Sequence, residues 1–142
     1  MRFWDTSAII ALWVDEDGSE QARRWVKDDG EITIWTLTPV EISSALWRRV
    51  REKSVGEDQA RELERRSDRL AAQASVVMDV DAVKLQAKRL LRVHPIRAAD
   101  SLQLAAAMLW AEGDPRDRLL HTFDGSLASA AQREGFTVPV AG

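Results

Sequence analysis

The sequence predicts an α/β fold of the three-layer kind. It should hold a central parallel sheet of about five strands, with helices on both faces, in one domain spanning residues 1–142. Two observations carry this expectation. Short apolar runs that end in polar residues alternate with longer segments whose apolar residues recur at helical spacing. Strands separated in this way by helices pair in parallel and are covered on both faces.

Arg2–Trp4 (RFW) is the first predicted strand and Ile32–Trp35 (ITIW) the second. Ser75–Val80 (SVVMDV), Arg118–Phe123 (RLLHTF) and Phe136–Val140 (FTVPV) complete the five. The first helix follows Asp5, with Thr6 or Ser7 as its cap. Thr38-Pro39-Val40-Glu41 reads as a capping box with proline at the first helical position. Glu57 to Ala74 is a polar, arginine-rich helix with a thin stripe of Ala60, Leu63, Leu70 and Ala71. Val83, Ala87, Leu90 and Leu91 mark the next helix, and Ala98, Leu102, Ala105 and Leu109 the one after it. Asp124 is placed to cap a last helix beginning at Gly125 or Ser126. Trp4 and Trp35 belong to strands and hence to the core; Trp13, Trp25, Trp47 and Trp110 fall on helices, where core packing is the default. His94 and His121 read as structural.

Composition narrows the chemistry. The 142 residues are 45% hydrophobic and 30% charged and include no cysteine, which excludes disulfides, thiolate metal sites and cysteine nucleophiles. The N-terminal residues lack the pattern of a signal peptide, and no apolar run nears the roughly 18 residues of a membrane helix. A cytoplasmic protein without a membrane partner is expected. The net charge of −3 conceals a segregation. Residues 1–47 carry 4 Lys/Arg against 9 Asp/Glu, residues 48–97 carry 13 against 8, and residues 98–142 carry 3 against 6. An acidic pocket beside a basic surface is compatible with that distribution.

Four acids fall in one kind of place. Asp5 follows the first strand, Glu41 the second and Asp124 the fourth, while Asp100 lies near the start of the helix preceding that strand. Each has a structural use as a cap or a first-turn acid. Together, at the end of a parallel sheet where such folds bind ligands, they would repel one another unless a cation lay between them. Oxygen donors without a cysteine cage select a hard ion, Mg²⁺ or Mn²⁺. Such an ion activates water and offsets charge on phosphoryl oxygens, so the cluster points to phosphate chemistry. A haloacid-dehalogenase-like phosphatase fits poorly, because Ser7 stands where its second acid belongs. A response-regulator receiver fits poorly too, since the last lysine is Lys88. No glycine-rich phosphate loop and no G-x-S-x-G elbow is present.

The stretches FWDTSAIIALW, TPVEISSALWRRV, IRAADSLQLAAA and HTFDGSLASAA resemble, in order and spacing, the four motifs of PIN-domain ribonucleases. Within that family the chain is similar to the VapC-type toxins of type II toxin–antitoxin systems. The resemblance implies a metal-dependent endoribonuclease that leaves a 5′-phosphate and a 3′-hydroxyl. It makes Asp5, Glu41, Asp100 and Asp124 the catalytic acids, with Asp5, Asp100 and Asp124 as ligands of Mg²⁺ or Mn²⁺. Glu41 would bind metal or position the attacking water, while Thr6 and Thr122 would hold neighbouring carboxylates. It further implies an RNA substrate, a cognate antitoxin and a homodimer. The rival reading is a PIN-like module that binds RNA or protein without cutting.

The basic middle third adds candidates for RNA contact. Arg48, Arg49, Arg51 and Lys53 follow Glu41 on the same helix, one to three turns away. Arg61, Arg65 and Arg69 share a helical face, for which surface pairing of Glu57 with Arg61 and of Glu62 with Arg66 is the plainer explanation.

Overall fold

The structure, a computed structural model, describes residues 1–139. In chain order the elements are β1 (Arg2–Trp4), α1 (Thr6–Trp13), α2 (Ser19–Asp28), β2 (Ile32–Trp35), α3 (Thr38–Arg51) and α4 (Glu57–Gln73). They continue with β3 (Ser75–Val77), α5 (Val80–Val93), α6 (Ala98–Trp110), β4 (Leu120–His121) and α7 (Gly125–Glu134). The strands form one sheet of order β3-β2-β1-β4, all parallel, with Phe3 opposite both Thr33 and Leu120.

Four strands stand where about five were expected. The segment from Phe136 makes a single parallel bridge, Thr137 to Leu119, and Pro139 two residues on has no N–H to extend a ladder. Val140, the last residue of that expected strand, lies outside the described residues. The strand expected over Arg118–Phe123 is shortened to two residues, because Thr122 onward turns toward α7.

Side-chain alternation along the strands builds two cores. Phe3, Trp35 and Leu120 point to one face, where α5, α6 and α7 contribute Val83, Leu90, Leu104 and Leu127. Trp4 and Ile34 point to the other, against Ile9, Ile10, Ile42 and Leu46 of α1 and α3, with α2 and α4 behind. That is the three-layer arrangement, and Trp4 and Trp35 are both fully buried in it. Among the described residues no helix is long and apolar enough to cross a membrane.

The strand order changes direction at β1. From it the chain moves through α1 and α2 to β2 on one side, and β4 returns to its other side. A crevice opens where such a reversal occurs, at the C-terminal strand ends. Asp5 leaves β1 at that point, its N–H donating to the His121 carbonyl at 3.0 Å.

Candidate active site

An open cleft of about 490 Å³ lies at this end of the sheet. It is lined by all four acids, Asp5, Glu41, Asp100 and Asp124, together with Arg48 and Arg49. Each acid arrives from a different element. Asp5 is the N-cap of α1 and Asp124 that of α7, while Glu41 and Asp100 lie in the first turns of α3 and α6. Helix N-termini therefore ring the cleft, and their exposed N–H groups favour negative charge there.

The polar web behind the acids is specific. Asp5 Oδ2 accepts from the Ser7 N–H (3.3 Å), the Ser7 hydroxyl (2.7 Å) and the Thr122 hydroxyl (2.8 Å). Thr122 Oγ1 in turn accepts from the Asp124 N–H at 3.0 Å, which ties Asp5 to Asp124. Glu41 Oε2 accepts from the Thr6 hydroxyl (2.8 Å) and from Gln103 Nε2 (3.0 Å). The same Gln103 nitrogen also lies 3.2 Å from Thr6 Oγ1 and 3.1 Å from Thr38 Oγ1. Asp124 Oδ1 accepts from the Leu127 N–H at 2.9 Å. Asp5, Glu41 and Asp124 thus each give one oxygen to the protein. The other oxygen of each has no protein partner among the described residues.

Two capping expectations change. Asp5 caps α1, and neither Thr6 nor Ser7 does: Ser7 donates to the cap, and Thr6 lies inside the helix, donating to Glu41. The capping box at Thr38–Glu41 does not form. Leu37 is the N-cap and makes no side-chain bond, Thr38 is buried inside α3 facing Gln103, and Glu41 turns into the cleft. Glu41 is thereby released from capping α3.

The carboxylates are held in unfavourable surroundings. Burial pushes the Asp5 carboxyl above its ordinary range despite the hydroxyls that favour its ionised form. Glu41 is raised by burial and further by the charges of Asp5 and Asp100. Asp100 is pushed up to about 6, by burial first and then by Asp124 and Asp5. A cation placed among these groups would relieve both causes. As placed, no three of the described His, Asp or Glu side chains are drawn together tightly enough to hold an ion. The donor set nevertheless fits a hard divalent cation: only carboxylate oxygens, one left over on each of Asp5, Glu41 and Asp124 beside the Asp100 carboxylate, in an open cleft that leaves room for water.

Of the basic candidates, Arg48 and Arg49 line the cleft, whereas Arg51 and Lys53 are exposed farther along the chain and outside it. Arg49 is engaged by Glu16 through Nε and Nη2 at 3.2 and 3.1 Å. The arginines of α4 are occupied on the surface. Arg61 pairs with Glu57 and Asp58, and Glu62 takes Arg65 and Arg69 in place of the expected Arg66. Arg66 instead lies over the Trp13 ring at 5.2 Å.

Three contributors escaped the sequence reading as site residues: Ser7, Gln103 and the turn carrying Glu16. Gln103 had a signal, since it stands one helical turn after Asp100 and so shares its face. Behind the cleft, His121 is buried and neutral, its imidazolium disfavoured to about 3 by burial and by Arg2. It stacks on Trp25 at 4.1 Å, and Trp25 stacks on Phe123 at 5.1 Å. His94, also buried, bonds Glu134 at 2.6 Å. Both histidines are buried among packing or pairing partners.

Comparison with known proteins places the fold. Residues 2–132 match the PIN domain family. Ribonuclease VapC45 of Mycobacterium tuberculosis is 32% identical over 127 residues, covering 84% of this chain and 86% of that protein. Ribonuclease VapC3 of Pyrobaculum aerophilum is 41% identical over 56 residues, covering 39% of this chain and 43% of that protein, less than half its length. Among solved structures, a toxin–antitoxin complex from Klebsiella pneumoniae contains a chain of the same fold. Its TM-score is 0.63 at 15% identity, with 90% of this chain and 91% of that one covered. The family match over nearly the whole length, supported by these relatives, shows that the chain belongs to the PIN-domain family, whose curated members similar to it are VapC ribonucleases.

Proposed function

We propose that this chain is a metal-dependent endoribonuclease that hydrolyses RNA phosphodiester bonds, and that it is the toxin of a toxin–antitoxin pair. The observation that carries the reading is the convergence of Asp5, Glu41, Asp100 and Asp124 on one cleft at the strand ends. The VapC ribonuclease names of its relatives support the RNA substrate. The Klebsiella complex, a structural neighbour, supports an antitoxin protein as partner. A second copy of the chain is the other partner proposed.

Asp5, Asp100 and Asp124 would hold the ion, Mg²⁺ or Mn²⁺. When bound, it supplies a water of lowered pKa and offsets charge on the phosphoryl oxygens. The chain's own residues do the rest. Thr122 and Ser7 fix the Asp5 carboxylate so that Oδ1 is presented in one orientation. Thr6 and Gln103 fix Glu41 by Oε2, leaving Oε1 to accept a hydrogen bond from the attacking water and orient it. Arg48 offers an exposed guanidinium to the backbone of the bound strand.

The test is RNA cleavage by the purified protein with Mn²⁺, with EDTA, and with the Asp5→Asn and Asp100→Asn variants. Cleavage by the parent with Mn²⁺ alone, leaving 5′-phosphate ends, is the expected result. Turnover retained by both folded variants would overturn the site.

A further inference from the structure

The two arginines of the cleft are not equivalent. Arg48 is exposed and has no ion-pair partner among the described residues. Arg49 is clamped. Its Nε and Nη2 donate to the two carboxylate oxygens of Glu16 at 3.2 and 3.1 Å, and its Nη1 donates to the Ala45 carbonyl at 3.1 Å. This fork-to-carboxylate geometry is the one an arginine offers to a phosphate.

Glu16 is held in place for this contact. It lies in the turn between α1 and α2, where its N–H donates to Ser19 Oγ at 3.0 Å and its carbonyl accepts from the Ser19 N–H at 3.1 Å. Ser19 Oγ is itself anchored on the Val14 carbonyl at 2.9 Å. The ion pair therefore joins this turn to α3 across the rim of the cleft. Its side chains retain 20% and 31% exposure, so it is open to exchange.

Charge in the cleft makes that exchange matter. Six carboxylates, Glu16 and Asp17 included, face two arginines. With Glu16 neutralising Arg49, Arg48 is the one unpaired cation among the described residues lining the cleft. We propose that Glu16 is a built-in competitor for RNA. Its carboxylate occupies the Arg49 fork in the RNA-free protein, and a backbone phosphate takes its place on binding, so the pair sets how tightly the cleft holds its substrate. This rests on the endoribonuclease reading and adds a residue that tunes substrate affinity.

The experiment is fluorescence anisotropy with a short unstructured single-stranded RNA in EDTA, across a range of salt concentrations, with intactness of the RNA checked. Glu16→Gln is expected to tighten binding about twofold to fivefold, the upper part of the range for a partly exposed ion pair. Its salt slope should differ from the parent's by less than about one phosphate contact, because Arg49 meets a phosphate in both complexes. Asp17→Asn, which removes the same charge from the cleft without freeing Arg49, should change affinity less than about twofold. Arg49→Gln should weaken binding and flatten the salt slope by about one, and Glu16→Gln in that background should add nothing. Equal gains from Glu16→Gln and Asp17→Asn, or a Glu16→Gln gain that survives without Arg49, would reduce the effect to general charge and overturn the proposal. So would weaker binding by Glu16→Gln, which would make Glu16 an orienter of Arg49. Mn²⁺-dependent cleavage with any of these results would sink the competitor alone. Absence of both RNA binding and cleavage would sink the nuclease reading with it.

Discussion

Asp100→Asn should stabilise the metal-free protein, although it removes a residue of the site. The folded protein raises Asp100 from 3.8 to about 6, through burial and the charges of Asp124 and Asp5, net of favourable contacts with Arg97. Because the folded-state value is the higher one, the native state binds the proton more tightly than the unfolded chain does. Stability contributed by this group is then present below the unfolded value, near pH 4, and is lost as pH rises through about 6. The full difference corresponds to about 3 kcal/mol at neutral pH. Asp100 is only half buried, and solvent screening brings the figure to about 1 kcal/mol. For a chain of 142 residues that is about 3 °C in Tm. Thermal unfolding in EDTA should therefore show Asp100→Asn melting about 3 °C above the parent at pH 7.5, with the two coinciding near pH 4. A variant less stable than the parent at pH 7.5, or a gap unchanged between the two pH values, would refute this account of the acid cluster.

Divalent metal should raise the melting temperature of the parent by about 8 °C at a hundredfold excess over Kd, equivalent to about 2.7 kcal/mol. The shift should shrink below pH 6 as protons compete at Asp100, and should be largely lost in Asp100→Asn. Scanning calorimetry with Mn²⁺ against EDTA checks both. Gln103→Leu should cost about 1–3 kcal/mol, because Glu41 and Thr38 lose a buried donor. It should lower kcat more than it raises KM for RNA, since Gln103 orients Glu41 and does not line the cleft. Gly18→Ala should destabilise by about 1–3 kcal/mol in denaturant unfolding: Gly18 has φ +90°, and an added Cβ would lie 2.8 Å from the Phe123 ring.

Much of the fold was legible because its determinants are local. RFW and ITIW became strands at the expected residues, and Glu57 onward became the expected arginine-rich helix. Their apolar patterns need no knowledge of their neighbours. The strand at Arg118–Phe123 shrank to two residues because its end is set by long-range bonds: the Phe123 N–H goes to Ser7 Oγ and the Asp124 N–H to Thr122 Oγ1. The capping box at Thr38 failed for a similar reason. Its local pattern is sound, but Gln103, distant in sequence, takes Thr38 and Glu41 into a buried web. The four acids were legible as a set because strand ends in a parallel sheet, and the starts of the helices that lead back to it, meet at one edge. The Arg49–Glu16 pair was not legible, since nothing in either segment specifies the other.

Asp5 shows why structural and functional readings of one acid need not compete. As the cap of α1 it needs one oxygen, and Oδ2 alone takes the Ser7 and Thr122 bonds. Oδ1 stays unclaimed by protein among the described residues. Asp124 divides itself in the same way: Oδ1 caps α7, and Oδ2 is left over. Capping fixes the rotamer of each carboxylate and so fixes where the second oxygen goes, which is the preorganisation a metal ligand needs. The cap bonds also favour ionisation, partly opposing the burial that raises Asp5. A carboxylate free of the cap could reach the same cleft, but it would have to lose rotamer freedom on binding an ion. In this fold that loss is met during folding, by the helices the acids begin.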